Sequence, residues 1–438
     1  MGRRFRLGAN TLTKVILPGN NTPTYTNLTV IPTTTAQNYT VPSGYTAYNQ
    51  ITVSAVNSSI DANIQPGNIR NGVNILGVTG NYTPQTYYIE RTLATGNKLT
   101  GPSSILQTQG ILDIGDNALR EAYHYDDHLQ GEICFPDLVT VSGNNAMFNC
   151  FYNCTNITSV NFPNLVTLPG TNCMYNAFYG CTNVTSVNLC NLTNVSGTYA
   201  LQYGFCGCHN LSSLNLSNLT IVDNYAMERA FLNTKLTTLN LCNLTTINRG
   251  GLYYSFGSSN YLTTVNFPAL TFIGASGLAW AFMRCNNLTT ISFPSLVTIT
   301  TTGGYAFNEA FRNCISLTSV YFNQLSSVIS TNTFLNGFKD CTSLPSINFP
   351  ALSVINKANI FKDCFNGCIA LRSVNFPALN TSSFGTATSQ FSNMLSGVTN
   401  CIVHFPSSIQ STIGTWSDVT GGFGGTNCRA AFDLPATS

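Results

Sequence analysis

The sequence predicts a mainly β fold: a solenoid of about eleven turns, made of short parallel strands with short helical or irregular returns, preceded by a small β-rich N-terminal domain. Three observations predict it. The phrase TSVNFPNL (158–165) returns as TSVNLCNL (185–192), SSLNLSNL (212–219), TTLNLCNL (237–244) and TTVNFPAL (263–270). Within each phrase apolar and polar residues alternate, which is the pattern of a half-buried strand. Charge is scarce: Asp, Glu, Lys and Arg make up 8% of 438 residues, against roughly 25% in an average soluble domain. Solubility therefore rests on Asn, Thr, Ser and Gly.

Residues 1–90 are rich in Thr, Asn, Pro and Gly and lack the repeat. TNLTVIP (26–32) and NQITVSAV (49–56) alternate apolar and polar residues, which predicts strands joined by turns. The stretch 43–82 contains NIxxGVxIxGVxG, formed by Asn68, Ile69, Gly72, Val73, Ile75, Gly77, Val78 and Gly80. This segment resembles a small module common in virion proteins of tailed bacteriophages. The resemblance implies that these residues attach the chain to other virion proteins, with homo-oligomerisation, as a trimer, the usual form of a fibre. Gly72, Gly77 and Gly80 suit turns at positive φ between short strands.

The first 20 residues have no continuous apolar stretch of the length a secretory signal needs. The expectation is synthesis in a host cytoplasm and a place on the virion, reached by lysis. No apolar run approaches the roughly 20 residues of a membrane helix, so membrane insertion is not expected. A net charge of +2 speaks against nucleic acid as a partner, since such binders concentrate basic residues.

Residues 91–117 read as a linker and the start of an N-terminal cap, and 118–406 as the solenoid. The second apolar residue of each phrase marks the period: Phe135, Phe162, Leu189, Leu216, Leu241, Phe267, Phe293, Phe322, Phe349, Phe376 and Phe405. Successive marks lie 27, 27, 27, 25, 26, 26, 29, 27, 27 and 29 residues apart. This period falls in the range of leucine-rich repeats.

Val160, Val187, Leu214, Leu239, Val265, Ile291, Val320, Ile347 and Val374 form a second inward column, and a leucine follows each of the first ten marks by three residues. On the return, a small residue precedes a phenylalanine, as in Ala177-Phe178, Ala230-Phe231 and Ala310-Phe311. Three residues later stand Cys154, Cys181, Cys208, Thr234, Ser259, Cys285, Cys314, Cys341 and Cys368. A disulfide or metal site would not accept Thr234 and Ser259 in this slot, so buried reduced thiols are expected, cysteine being a residue that buries readily.

The unit AFxxC(T/S)xLTSVxFPxLxxI, as in AFYGCTNVTSVNLCNLTNV at 177–195, resembles the BspA-type leucine-rich repeats of bacterial and protist surface proteins. The resemblance covers about 118–406 and implies a binding surface rather than a catalyst. The first unit looks imperfect: Ala118-Leu119 and Ala122 are read into the Ala-Phe and Cys slots, leaving YHYDD (123–127) as an insertion. VHFPSSIQSTIGTW (403–416) resembles a closing unit, so 407–438 is assigned to a C-terminal cap and tail.

HYDDH at 124–128 is the densest group of metal-capable residues. It reads either as an inserted metal loop or as a polar surface loop, and no further spaced ligands accompany it. Glycan hydrolysis needs paired carboxylates, whereas Asp223, Glu228, Glu309, Asp340 and Asp363 are scattered over return segments. No phosphate-binding loop or GxSxG elbow occurs, so neither an enzyme nor a cofactor is expected.

If Val160 and Phe162 point inward, Asn161 points out. The outward slot reads Cys134, Asn161, Asn188, Asn215, Asn240, Asn266, Ser292, Tyr321, Asn348, Asn375 and His404. Two readings stand side by side: an amide ladder that stabilises the sheet, or a neutral surface for glycan hydroxyls with Tyr321 as a stacking platform. On the second reading Asn266, Ser292, Tyr321 and Asn348 are the candidate ligand residues. The functional expectation is a non-enzymatic virion fibre or decoration protein that binds a host protein or glycan through its solenoid. A BspA-type bacterial adhesin and a purely structural capsid or tail component are the alternatives.

Overall fold

The structure is a computed structural model that describes residues 111–127, 129–385 and 389–435, together with the backbone of six strands among the first 79 residues. Compact units divide at Met1–Thr86 and Tyr87–Ser438. In the first unit Arg3–Leu7 pairs antiparallel with Asn10–Val15, and Tyr25–Val30 pairs parallel with Ala47–Val53. These last two strands overlap the runs TNLTVIP and NQITVSAV. Asn74–Ile75 pairs with Val78–Thr79, which sets Ile75 opposite Val78. The other proposed attachment residues, Asn68, Ile69, Gly72, Val73, Gly77 and Gly80, lie outside the described residues.

In the second unit the repeated phrase forms a short parallel strand in turn after turn, except at 237–244, where a single bridge joins Asn240 to Asn266. Ser186–Asn188 lies between Ile157–Asn161 and Ser213–Asn215, with Val160, Val187 and Leu214 in register. A second set of two-residue strands follows about six residues later, with Asn194–Val195, Ile221–Val222, Thr246–Ile247 and Phe272–Ile273 in one sheet. The marked column and the leucine column are both buried throughout. Because the period holds, identical rings fall on one another. The return phenylalanines from Phe151 to Phe365 stack with centroids 4.9 to 5.8 Å apart. Each such pair contributes about 0.5–1.5 kcal/mol beyond its buried area.

The returns are not helical. Among the described residues α-helix occurs only at Gln410–Ile413 and Ser417–Thr420. Each return is a run of tight turns whose N–H groups alternate between two partners. Asn149, Phe151 and Asn153 donate to Tyr175, Ala177 and Tyr179 carbonyls of the next turn at 2.9, 2.8 and 2.7 Å. Between them, Cys150 and Cys154 donate to Met147 and Phe151 carbonyls three residues back at 3.0 and 3.1 Å. This alternation satisfies the backbone locally and between turns at once. It also forces positive φ at every fourth residue, as at Asn145, Asn149 and Asn153 (52°, 51° and 55°). Asparagine tolerates that region better than most residues.

The cysteine column has a hydrogen-bonding reason. Cys181, Cys208, Cys285, Cys314, Cys341 and Cys368 each donate Sγ–H to the carbonyl of a return residue one turn back (Phe151, Phe178, Phe256, Phe282, Phe311 and Phe338) at 3.0 to 3.3 Å. Thr234 does the equivalent within its turn, donating to the Phe231 carbonyl at 3.1 Å, and its hydroxyl meets that of Ser259 at 3.0 Å. In these turns the slot holds a small side chain with one donor. All sixteen cysteines are thiols.

One reading of the ends is corrected. YHYDD is not an insertion: Tyr123 occupies the phenylalanine slot, stacked on Phe151 at 5.2 Å. The Tyr123 N–H donates to the Cys150 carbonyl, its own carbonyl accepts from the Cys154 thiol, and Asp126 fills the buried cysteine slot. The regular unit was hidden because both signature residues are replaced. At the other end, Arg429–Leu434 is a further strand of the repeat, parallel to Ile402–Pro406. Phe432 stacks on Phe405 at 5.8 Å, so the Gly-rich tail ends in one more repeat strand that covers the last turn.

Candidate functional site

The outward strand slots do less ladder-building than their spacing suggests. Asn188 Nδ2 donates to Asn161 Oδ1 at 2.9 Å, and the Ser292 hydroxyl donates to Asn266 Oδ1. Elsewhere the amide turns inward on its own chain: Asn188, Asn215 and Asn240 accept the N–H two residues on, at 3.2, 3.1 and 3.2 Å. An asparagine at a strand end thus sets the turn that follows it. Asn266, Ser292 and Tyr321 are laid side by side by strand pairing, and Asn348 sits in the strand of the next turn. Tyr321 is 46% exposed.

A second surface, on the returns, was not singled out by sequence reasoning. Here the positive-φ positions present their side chains outward. In the flanking turns they are Asn, as at Asn172, Asn176, Asn332 and Asn336. From Tyr199 to Glu309 nine of them are instead bulky: Tyr199, Tyr203, Tyr225, Arg229, Tyr254, Trp280, Arg284, Tyr305 and Glu309, with φ between 51° and 63°. Each such residue costs about 1–2 kcal/mol relative to an ordinary conformation. Among the described residues, other bulky side chains at positive φ occur at Glu121, Tyr125 and Phe423. The signal in the sequence is the substitution of Tyr-x3-Tyr and Tyr-x3-Arg for Asn-x3-Asn.

Several of these residues contact one another across turns, as Tyr199 does Tyr225 at 5.6 Å, and others contact neighbouring rings of the return face. Phe148 stacks on Tyr175 and Tyr152 on Tyr179, both at 4.9 Å. Tyr203 stands edge-on to Tyr175 and Tyr179 at 6.1 and 6.4 Å. The Arg229 guanidinium lies 5.3, 5.7 and 5.9 Å from the rings of Tyr203, Tyr253 and Tyr254. It also donates to the Tyr203 hydroxyl and, at 3.0 Å, to Glu228. Trp280 closes the group edge-on to Tyr253 at 4.8 Å, and Arg312 pairs with Glu309 at 2.7 Å. Burial pushes the Glu228 carboxyl above its ordinary value, opposed by Arg229 and by a hydrogen bond from Gln202. Burial likewise raises the Tyr175 and Tyr253 phenols. The result is a preorganised aromatic and arginine-rich face, the composition enriched at binding hot spots. No cluster of metal-ligating residues occurs among the described residues.

The repeats match the family of BspA type leucine rich repeat regions in six copies, over residues 123–255 and 252–394. The chain belongs to that family. Among solved structures it is similar to a leucine-rich repeat protein of Bacteroides ovatus, with 19% identity over 73% of this chain and 87% of that one, at a TM-score of 0.31. A leucine rich cell surface protein of Faecalibacterium prausnitzii is 18% identical, covering 73% and 83%, with a TM-score of 0.28. An internalin of Listeria monocytogenes is 14% identical, covering 72% and 77%, with a TM-score of 0.23. No curated protein matches the sequence.

Proposed function

We propose that this is a non-catalytic binding protein whose return face, from Tyr199 to Glu309, makes the principal contact with a host-cell surface. The observation that carries the reading is the cluster of nine bulky residues held at positive φ on neighbouring turns. Strain maintained together on one surface is characteristic of functional sites, and asparagine in the same slots of other turns provides an unstrained alternative. The strand-face residues Asn266, Ser292, Tyr321 and Asn348 are proposed as a secondary contact.

The finer reading is that the chain is a tail or head fibre or decoration protein of a bacteriophage, docked through residues 1–90. It rests on the resemblance of residues 43–82 to virion modules. A BspA-type bacterial adhesin would use the same return face, so the binding surface does not depend on which reading of the ends holds.

The test uses fluorescently labelled full-length protein on a panel of bacterial and mammalian cells. The comparison is a variant carrying Tyr203→Asn, Arg229→Asn, Tyr254→Asn and Trp280→Asn, which keeps residues suited to the backbone. Saturable binding lost in the variant is the expected result, and equal binding by both proteins refutes the return-face assignment. Deletion of residues 1–90 tests the virion reading: incorporation of the truncated chain into phage particles at the full-length level would overturn it.

A further inference from the structure

We infer that a cleft beside the aromatic face binds an acidic sugar, with Arg249 taking the carboxylate and Phe272 supporting the apolar face of the ring. The inference rests on the surface-binding reading above and names a ligand class and a place for it. The cleft has a volume of about 460 Å³ and is lined by, among others, Asn224, Asn248, Arg249, Phe272, Thr301 and Thr302. It lies within the roughly 300–1,000 Å³ range of small-molecule sites.

The cleft arises from unequal repeat lengths. Only two residues separate Ile247 from the positive-φ position Gly250, and two separate Ile273 from Ser276. Five separate Ile299 from the equivalent position, Tyr305. The longer connection, Thr300–Gly304, stands as a wall beside two short ones. That wall is braced: the Thr301 hydroxyl meets that of Ser330 at 2.7 Å and accepts the Gly304 N–H at 3.0 Å. Gly274 lets the neighbouring turn approach, since a Cβ there would lie 2.8 Å from the Arg249 nitrogen.

Phe272 is the one aromatic ring among the residues paired in its slot, which elsewhere holds Ile221 and Val354 as its apolar residues. The register gives its slot to Asn194, Ile221, Thr246, Thr298 and Ser327 in other turns. The ring is 40% exposed while the adjacent Ile273 supplies the core. Arg249 is equally unusual in a chain with so little charge. Its Nε donates to the Tyr225 hydroxyl at 3.2 Å, which fixes the guanidinium plane. Its terminal nitrogens have no hydrogen-bond or ion-pair partner among the described residues. The adjacent carboxylate, Asp223, is engaged by Asn248 Nδ2. A held guanidinium with open donors is suited to bidentate recognition of a carboxylate. The Asn224 amide, the Asn248 carbonyl and the Thr302 hydroxyl remain for sugar hydroxyls. An exposed ring, a guanidinium fork and neutral polar groups together fit a uronate or sialate better than a neutral sugar.

Titration calorimetry of the full chain tests this with 3′-sialyllactose, a glucuronate-containing chondroitin disaccharide, and lactose as the neutral control. At least one acidic probe is expected to bind at least tenfold more tightly than lactose. The stronger of the two identifies the source of the carboxylate. Arg249→Gln should remove the preference, since a charge-assisted hydrogen bond accounts for about a tenfold change or more. Phe272→Thr, which installs a residue found in the same slot elsewhere, should weaken acidic and neutral sugars alike while leaving the fold intact. Equal binding of acid and lactose, no binding of either acid, or unchanged acid affinity in Arg249→Gln overturns the inference. If cell binding persists and still needs Tyr203 and Trp280 in that case, the broader function stands without this site. Sugar binding without any cell binding would have the opposite meaning.

Discussion

Arg229→Ala is the sharpest perturbation of the return face, because one side chain joins four others. It removes a charge-assisted hydrogen bond to Glu228, a hydrogen bond to Tyr203 and three ring contacts. Hydrogen bonds to charged groups contribute about 1.5–3 kcal/mol, and exposed cation–π contacts about 0.5–1 kcal/mol. The Arg229 side chain is 31% exposed and that of Glu228 12%, so solvent screens part of this, and a net loss of about 2–4 kcal/mol follows. Alanine at φ 52° relieves none of the backbone strain. In a solenoid, stability is a sum of local terms, so native-state hydrogen exchange is the suitable assay. Amides between 203 and 256 should exchange roughly 30- to 900-fold faster at one decade per 1.36 kcal/mol, while those around Phe376 and Phe405 should not change. A cycle with Glu228→Gln should show a coupling of about 1–2 kcal/mol. Additivity within about 0.5 kcal/mol, or a uniform change along the coil, would refute the idea that Arg229 organises this face.

The Glu228 carboxyl is raised by burial above 4.5, so the folded state holds its proton more tightly than the unfolded state. Its contribution is therefore full below the unfolded value and is lost as pH rises through the folded one. Denaturation midpoints of wild type minus those of Glu228→Gln should fall as pH rises above the ordinary carboxyl value, and a rise would contradict the assigned cause. Burial pushes the thiols of Cys173, Cys285 and Cys368 up to about 12. At pH 8 their thiolate fraction is then roughly a thousandfold below that of a thiol at 9. Mass-resolved alkylation of the native chain should label exposed Cys242 first, and rapid labelling of Cys285 would show that the column opens. Gly304→Ala places a Cβ 2.6 Å from the Thr331 carbonyl at φ 70°. It should cost about 1–3 kcal/mol and loosen the cleft wall, seen as faster exchange of the amides from 301 to 305.

The coil was legible in the chain because a solenoid repeats its chemistry. A period near 27 and four apolar columns require only that like residues sit on like residues, and stacking then follows from spacing alone. The exchange of Cys with Thr and Ser also indicated in the sequence a small, semi-polar slot; its hydrogen-bonding role is visible only in the structure. Where one unit replaced both signature residues, as Tyr123 and Asp126 do, the pattern failed although the backbone did not. The last strand was obscured in the same way, Phe432 keeping its 27-residue distance from Phe405 without the surrounding phrase.

The sequence by itself thus determined the period, the inward faces and the scarcity of charge. Only the tertiary structure decided what the outward residues do. The strand asparagines could form a ladder or turn back on their own chain, and they divide: Asn161, Asn188 and Asn266 bond across turns, while Asn188, Asn215 and Asn240 accept local N–H groups. Polarity patterns do not reveal which residues sit at positive φ, so the cost of Tyr203, Arg229 and Trp280 emerged only with the alternating hydrogen bonds of the return. The spacings of 26 and 29 were visible from the start. That they raise a wall beside Phe272 and leave Arg249 with open donors depends on how three consecutive turns of different length stack.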